Sequence, residues 1–338
     1  MSTAPHWTRG EAVDPILLPS NQPPARFYRG GQRIAAFRRE PRSEPNTPED
    51  WVGATTSVRG NAAIGMTRLA SGELLTEAVQ NDPSSWLGAA HVQRYGVDTM
   101  LLVKLLDAGQ RLPVHAHPDG RFAAHHVSAA HGKAEAWFVL TPGVVYLGLT
   151  RDVSPEELRA LVDTQDSSTL LSLMHQVVVN SGDSVFVPHG LLHAIGAGIL
   201  LAEVQEPEDL SILLEWTGFD LDGENDGHLG LGFDLALTAV ETRARSLADI
   251  EALVRRGVLD GSALPESADA FFRLDRVTGR SDFPAGFGIV IALTEPAQLT
   301  LAAGVSRELE SGSTTLIPYA SGRYRIDGDA LVARPPRP

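Results

Sequence analysis

Residues 111–140, RLPVHAHPDGRFAAHHVSAAHGKAEAWFVL, gather five of the chain's eleven histidines and a single glutamate. His115 and His117 are two residues apart, a spacing that places both side chains on one face of a strand. Glu135 follows the His-Gly-Lys turn and starts an apolar run, where strand alternation can direct its side chain toward the same face. The stretch therefore predicts a metal site built on short β-strands.

A second stretch, residues 182–196 with the sequence GDSVFVPHGLLHAIG, completes this pattern. Its glycines predict two tight turns around a strand over 184–188, and His193 falls on the returning strand. A lone His-x-His pair in a strand is more often incidental. Joined to a following glutamate and a Gly-Asp-x-x-x-x-Pro…His block, it resembles the ligand pattern of the cupin barrel.

Composition limits the class of protein. The chain has 338 residues, no cysteine and a net charge of −14. Any metal site must therefore use His, Asp or Glu as ligands, and disulfides are excluded. The acidic balance argues against nucleic acid and anionic membrane as partners. The N-terminus lacks a signal-peptide pattern and no apolar run is long enough to span a bilayer, so we expect a cytoplasmic protein.

Strand-like runs dominate three stretches of the chain. β-Branched and aromatic residues punctuated by Gly, Pro and Asp fill residues 99–150, resume after residue 175, and return from residue 270 onward; a short strand is also expected over Arg33–Arg38. Residues 154–175 instead predict a helix, capped by Ser154 with Pro155 at its first position. A second helix is expected over 246–257, ended by Gly257.

Three imidazoles and one carboxylate suit Zn²⁺ or another divalent first-row metal, with open positions left for substrate oxygens. The remaining histidines of the opening stretch, His125, His126 and His131, are expected in a solvated loop between the ligand strands. His189, in the Pro-His-Gly segment, is expected to be a surface turn residue at the rim of the site.

Several motifs together resemble the type I mannose-6-phosphate isomerases, which are two-cupin metalloenzymes. The motifs are PEDWVGATTS (48–57), LLVKLLDAGQRLPVHAHPD (101–119), HGKAEAWFVL (131–140), GDSVFVPHGLLHAIGAGILLAEVQEPEDL (182–210) and STTLIPYASGRYRI (313–326). The resemblance implies a mainly β fold of two cupin (jelly-roll) β-barrels with a helical insert. We expect an N-terminal catalytic barrel over residues 1–150 and 176–235, interrupted by a helical insert over 151–175. A helical linker over 236–264 then leads to a degenerate C-terminal barrel over 265–338.

The resemblance also implies roles for individual residues. His117, Glu135 and His193 match the family's zinc ligands, and His115 stands where the family has a glutamine ligand. The other matches are to residues of the sugar site. Lys104 and Lys133 match lysines that line it, Glu203 and Asp209 match acidic residues near the reacting carbons, and we expect Trp51 and Arg111 to contact substrate.

Two departures from the family pattern bear on the substrate. Pro113 replaces a serine, so both a hydroxyl and an N–H are lost. Leu213 replaces an arginine, and no basic residue lies near it in the sequence. Phosphate is normally bound by bidentate arginine or several charge-assisted donors, so these departures weaken the case for a phosphorylated sugar.

The resulting hypothesis is aldose–ketose isomerisation of mannose 6-phosphate to fructose 6-phosphate through a cis-enediol. Glu203 and Lys133 would move the proton, and Asp209 would orient them. The alternatives are isomerisation of an unphosphorylated sugar, a non-catalytic sugar-binding regulatory cupin, and, less favoured, an Fe(II) dioxygenase. The second barrel, without histidine over 265–335, is expected to be a packing or lid partner; the sequence does not determine the oligomeric state.

Overall fold

The computed structural model describes residues 14–24 and 26–338. The start of the predicted segment 1–150 and the N-terminal sequence used for the signal-peptide prediction therefore lie largely outside the described residues. Within the described part of the chain, no helix is both long and apolar enough to cross a membrane.

Short strands form most of the regular structure. The strands are β1 Ile16–Leu18, β2 Glu49–Val52, β3 Leu102–Asp107, β4 His115–Ala116, β5 Glu135–Val139, β6 Gly143–Leu149, β7 Met174–Val179, β8 Ser184–Val187, β9 His193–Ile195, β10 Leu200–Gln205, β11 Ile212–Leu213, β12 Val254–Arg255, β13 Gly261–Ser262, β14 Arg273–Val277, β15 Arg280–Phe283, β16 Gly288–Ala292, β17 Ala297–Leu301, β18 Ser306–Leu309, β19 Thr314–Ile317, β20 Tyr324–Asp327 and β21 Ala330–Arg334.

The helices are short and connect or cover these strands. They are α1 Gln32–Arg38, α2 Leu75–Asn81, α3 Pro83–Leu87, α4 Ala89–Tyr95, α5 Gly120–His126, α6 Pro155–Asp163, α7 Ser167–Ser172, α8 Gly223–Asp226, α9 Phe233–Ala236 and α10 Leu247–Glu251, with single 3₁₀ turns at Leu237–Ala239, Glu266–Ala268 and Tyr319–Ser321.

Four antiparallel sheets form two barrels, and this confirms the predicted mainly β, two-barrel fold. The first barrel pairs the sheet β12-β8-β5-β10-β3-β2 with the sheet β11-β4-β9-β6-β7. The second barrel pairs β1-β19-β16-β21-β14-β13 with β15-β20-β17-β18. A shared apolar core joins the barrels, because Phe186 and Val204 of the first belong to the same buried cluster as Leu274 and Leu331 of the second.

The boundaries between the barrels differ from those predicted. Strand β1 pairs with β19, so the chain enters the second barrel before it builds the first. Strand β12 falls inside the predicted linker but pairs with β8 of the first barrel, whereas β13 pairs with β14 of the second. Edge pairings of this kind depend on long-range contacts that a local pattern does not encode.

Two local predictions near the N-terminus and in the linker were wrong. Residues 33–38 are helical because the Asp107 carboxylate accepts hydrogen bonds from the backbone N–H groups of Gly31 and Arg33, at 2.8 and 2.9 Å, which satisfies the free donors of the helix start. The helix expected over 246–257 ends at Glu251, because residues 254–255 extend to pair with β8, and Gly257 does not end it.

The helical insert begins as predicted but is divided. The Ser154 side chain accepts a hydrogen bond from the backbone N–H of Glu157, and Pro155 occupies the first helical position. A second N-cap, Asp166, then starts α7. The loop expected between the ligand strands also contains a helix, α5, whose N-cap Asp119 accepts from the backbone N–H of Phe122. That helix carries His125 and His126.

Candidate active site

The first barrel brings three of the predicted ligands into contact. His115 on β4 lies directly opposite His193 on β9, and His117 follows one residue after β4. The ring centroids lie 4.0 Å apart for His115 and His193, 4.8 Å for His117 and His193, and 5.0 Å for His115 and His117. All three are buried, and one ligating nitrogen from each lies within 4.8 Å of the others.

Backbone carbonyls fix the orientation of the three rings. The Nδ1 atoms of His115, His117 and His193 lie 2.8, 2.7 and 2.8 Å from carbonyl oxygens, which belong respectively to Pro113, Leu210 and Leu191. A carbonyl oxygen can only accept, so each Nδ1 carries the proton and each Nε2 presents a lone pair. The sequence therefore builds three imidazoles whose lone pairs face one another.

Glu135 closes the same cluster from β5. Its carboxylate oxygens lie 3.0 Å from His117 Nε2 and 3.3 Å from His193 Nε2. The Trp137 indole N–H, two residues along the strand, donates to Glu135 Oε1 at 3.0 Å and holds the carboxylate in place. Lys133 Nζ pairs with Glu135 Oε2 and lies 2.9 Å from His117 Nε2.

The pKa shifts describe a site that favours neutral imidazoles and an ionised carboxylate. Burial lowers the pKa of His117 to about 3, with the Lys133 charge acting in the same direction, and burial together with the other two imidazoles holds the pKa of His115 well below its usual value. Burial raises the pKa of Glu135, but the charge of the Lys133 cation outweighs it and lowers that pKa.

This arrangement fits a divalent metal ion. His193 Nε2 is a buried atom without a hydrogen-bond partner, and it faces a carboxylate oxygen that also only accepts. A buried acceptor left without a donor costs about 1–3 kcal/mol, and a positive ion between these atoms would remove that cost. Neutral imidazoles oriented by backbone carbonyls, with one carboxylate, form the donor set that first-row divalent ions prefer.

Next to the three imidazoles lies a cavity of about 650 Å³ lined by polar side chains of the first barrel. Glu203 on β10 lies directly opposite Lys104 on β3, and their charged atoms are 3.4 Å apart. Burial and the charge of Glu135 raise the pKa of Glu203. Burial lowers the pKa of Lys104, but Glu49 and Glu203 reverse this and raise it, so its ammonium group stays charged.

Glu49 is a further buried carboxylate that lines the cavity. Its carboxylate accepts from the Tyr28 hydroxyl and the Trp51 indole N–H, both at 2.7 Å, and pairs with Arg26 at 3.3 Å. Sequence reasoning missed Glu49, although it lies two residues before Trp51 in the Glu-x-Trp motif and hence on the same face of β2. Burial raises its pKa, but Arg26 and Lys104 outweigh burial and lower it.

Two arginines at the cavity were also missed. Arg26 reaches Asp209 at 3.8 Å in addition to Glu49, and Arg59 donates its backbone N–H to Asp209 Oδ2 at 3.0 Å. The Arg59 guanidinium contacts the Leu229 carbonyl at 3.3 Å. Both arginines are far from Leu213 in the chain, although Arg59 lies just after the matched segment 48–57.

The structure brings most, but not all, of the predicted residues together. His115, Lys104, Lys133, Glu135, Glu203 and Asp209 line the cavity. Arg111 does not line it, because its guanidinium pairs with Glu215, at 2.7 Å for the Nη1–Oε2 contact. Trp51 does not line the cavity either, because it is fully buried. The Lys104 ammonium lies 4.7 Å from the centroid of the Trp51 ring, so Trp51 packs against a residue that does line the cavity.

The histidines that were set aside lie outside the cavity. His131 pairs with Asp98 at 2.7 Å, which raises its pKa. His189 pairs with Glu206 and packs edge-on against Phe271, at 5.1 Å between ring centroids, so it joins the two barrels and is only partly exposed. The prediction of a surface turn residue for His189 was therefore incomplete.

Comparison with known proteins confirms the resemblance predicted from the sequence. The chain is 35% identical over 128 residues to the mannose-6-phosphate isomerase of Streptococcus mutans, a match that covers 37% of this chain and 38% of the relative. The matched segment thus spans less than two thirds of that relative. No protein-family profile matches the chain.

Solved structures support the fold over nearly the whole chain. A mannose 6-phosphate isomerase from Bacillus subtilis matches with a TM-score of 0.70 and 19% identity, covering 95% of this chain and 99% of that one. A mannose 6-phosphate isomerase solved with bound zinc and yttrium matches with a TM-score of 0.72 and 15% identity, covering 96% and 100%. At these identities the likeness establishes the fold.

The converging lone pairs generate a prediction about metal affinity. We predict that the chain binds one divalent ion and that His193→Ala raises its dissociation constant by more than about 100-fold, because even changes to groups that only orient metal ligands cost about 10–100-fold. Equilibrium dialysis with Zn²⁺ or Co²⁺ measures this. His175→Ala is the matched control, since that half-buried ring only meets the Arg245 carbonyl. Equal affinities in the two variants would contradict the assignment.

Proposed function

We propose that this protein is a zinc-dependent aldose–ketose isomerase that interconverts mannose 6-phosphate and fructose 6-phosphate. The observation that carries the proposal is the convergence of three imidazole lone pairs and the Glu135 carboxylate beside a cavity that also holds the buried Glu203–Lys104 pair. The names of the similar proteins, all mannose-6-phosphate isomerases, support the same reaction and a sugar-phosphate substrate.

The proposed zinc ligands are His115, His117, His193 and Glu135. When bound there, Zn²⁺ supplies Lewis-acid polarisation of a substrate carbonyl and its adjacent hydroxyl. The cavity beside these four residues, which His115 and Glu135 line, would give the substrate oxygens access to the ion. The zinc-bound relative of the same fold supports the choice of metal.

Glu203 is the proposed carrier of the transferred proton. Isomerisation removes a proton from one of the two carbons, C1 or C2, and returns it to the other, through a cis-enediol. A carboxyl group with a raised pKa can both accept and release that proton near neutral pH, and burial in the barrel raises the pKa of Glu203. Glu203 Oε1 is buried and makes no hydrogen bond, and its ion pair with Lys104 Nζ is long, at 3.4 Å.

Lys133 and Asp209 have supporting roles in this proposal. Lys133 Nζ contacts both Glu135 and His117, so it lies close enough to act as a second proton carrier beside the reacting carbons. Asp209 accepts the Arg59 backbone N–H and faces Arg26, so it fixes the loops that border the cavity. Lys104 would steady Glu203 across the paired strands.

An unphosphorylated sugar is the second candidate substrate, and the charges of the cavity favour it. Arg26, Lys104 and Lys133 each already pair with a carboxylate. Leu213 lies directly opposite His115 at the position of the family's arginine. Among the described residues that line the cavity, only Arg59 offers a guanidinium without a carboxylate partner, so a phosphate group would depend on it.

The reaction itself is tested by exchange with solvent. We predict that the zinc-loaded protein converts mannose 6-phosphate to fructose 6-phosphate in deuterated water with incorporation of deuterium at the transferred position. Glu203→Gln should lower kcat by about 10²–10⁴-fold, the usual contribution of a general base. NMR follows both product and label. Sugar binding without deuterium exchange would contradict the isomerase and favour a non-catalytic sugar-binding protein.

Arg59 separates the two substrate classes. We predict that Arg59→Ala raises KM for mannose 6-phosphate by about 10–100-fold, the value of a charge-assisted hydrogen bond, and leaves any turnover of free mannose unchanged. Arg29→Ala is the matched control, because that exposed guanidinium meets Gln110 at 3.0 Å outside the cavity. An enzyme that turns over only free mannose, with no response to Arg59→Ala, would reject the phosphate assignment.

A further inference from the structure

Two arginines face each other at one end of the second barrel. Arg273 on β14 lies directly opposite Arg334 on β21. They share the strand face of Val277 and Val332, whose side chains belong to the buried core inside this barrel. Like charges directly opposite on neighbouring strands destabilise a sheet, so this pair needs compensation by negative charge.

The compensation within the described chain is incomplete. Asp275, two residues from Arg273 on the same face, accepts from Arg334 Nη2 at 2.6 Å. Arg273 instead donates its Nε–H to the Pro335 carbonyl at 2.8 Å. Burial, together with the charge of Arg334, lowers the pKa of Arg273 to about 10, which reflects a guanidinium removed from water without a full counter-charge.

Both arginines line one small cavity. It has a volume of about 150 Å³ and lies between the second barrel and helices α3 and α4, with Phe287, Tyr319 and His91 among its other lining residues. That volume admits a small ion or a single tetrahedral group. The site is separate from the proposed active site, with which it shares no lining residue.

Further unpaired polar atoms lie at this end of the barrel. Arg334 Nε and the Tyr324 hydroxyl are buried and have no hydrogen-bond partner. The two side chains flank Gly288, where an added Cβ would lie 3.3 Å from Arg334 Cγ and 3.7 Å from the Tyr324 hydroxyl. The Arg334 guanidinium also stacks over Phe283, with its carbon 5.0 Å from the ring centroid, and this fixes its direction.

We propose that Arg273 and Arg334 form a binding site for a compact tetrahedral oxyanion, phosphate or sulfate, at the mouth of the second barrel. Guanidinium groups suit such an anion because their planar N–H pairs match two oxygens at once. Asp275 bonds one nitrogen of Arg334, and the Pro335 carbonyl bonds Nε of Arg273, which leaves the other guanidinium donors of both side chains for the ligand. The bound anion would also hold α3 and α4 against the barrel.

Thermal unfolding of the zinc-loaded full chain tests this site. A ligand at about 100 times its dissociation constant stabilises a protein by RT ln 101, so millimolar phosphate should raise Tm by several degrees relative to chloride at equal ionic strength. Sulfate should act likewise. Arg273→Gln should abolish the shift and, in phosphate-free buffer, should be at least as stable as the unmutated protein, because a like-charge contact is gone.

Two controls separate this site from other anion effects. Arg280→Gln, an exposed change on the same barrel, and Arg59→Ala, in the proposed active site, should both retain the phosphate shift. The same shift in Arg273→Gln as in the unmutated protein would overturn the proposal, as would no shift beyond that of chloride. Should Arg273→Gln fold poorly, equilibrium dialysis of radiolabelled phosphate against the Arg59→Ala protein decides: retained binding at one site supports the proposal and its absence overturns it.

Discussion

The central constraint in this molecule is electrostatic: three buried imidazole lone pairs and one buried carboxylate point at the same small volume. Each Nε2 carries a lone pair because the proton of that ring is on Nδ1, which donates it to a backbone carbonyl. Acceptors cannot satisfy one another, so the folded barrel requires positive charge at their meeting point. Lys133 supplies part of it beside Glu135 and His117, and the donor set suits a divalent ion for the rest.

The two sheets of the first barrel bring these side chains together. One sheet contributes the neighbouring His115 and His193, and the other contributes Glu135, Lys104 and Glu203 from paired strands. The second barrel has no histidine at the corresponding face, and carries instead the arginine pair of β14 and β21.

Much of the fold and the metal cluster could be predicted from the sequence, because period-two strands and closely spaced ligands are local signals. His115, His117, Glu135 and His193 are found together as the pattern indicated. The misses concern long-range contacts. Residues 33–38 are helical because the Asp107 carboxylate, 74 positions from Arg33, caps the start of the helix. Arg111 lies outside the site because its guanidinium pairs with Glu215. Arg26 and Arg59 reach the cavity from segments remote from Leu213 in the chain, so proximity in sequence could not reveal them.

Anomalous diffraction at the zinc absorption edge, from crystals grown with zinc, is the most direct measurement of the central claim. The account predicts one strong peak bonded to the Nε2 atoms of His115, His117 and His193, each at about 2.0–2.1 Å, with a Glu135 oxygen beside it. A map in which zinc is bound elsewhere, or in which these three nitrogens surround no metal at full zinc loading, would contradict it.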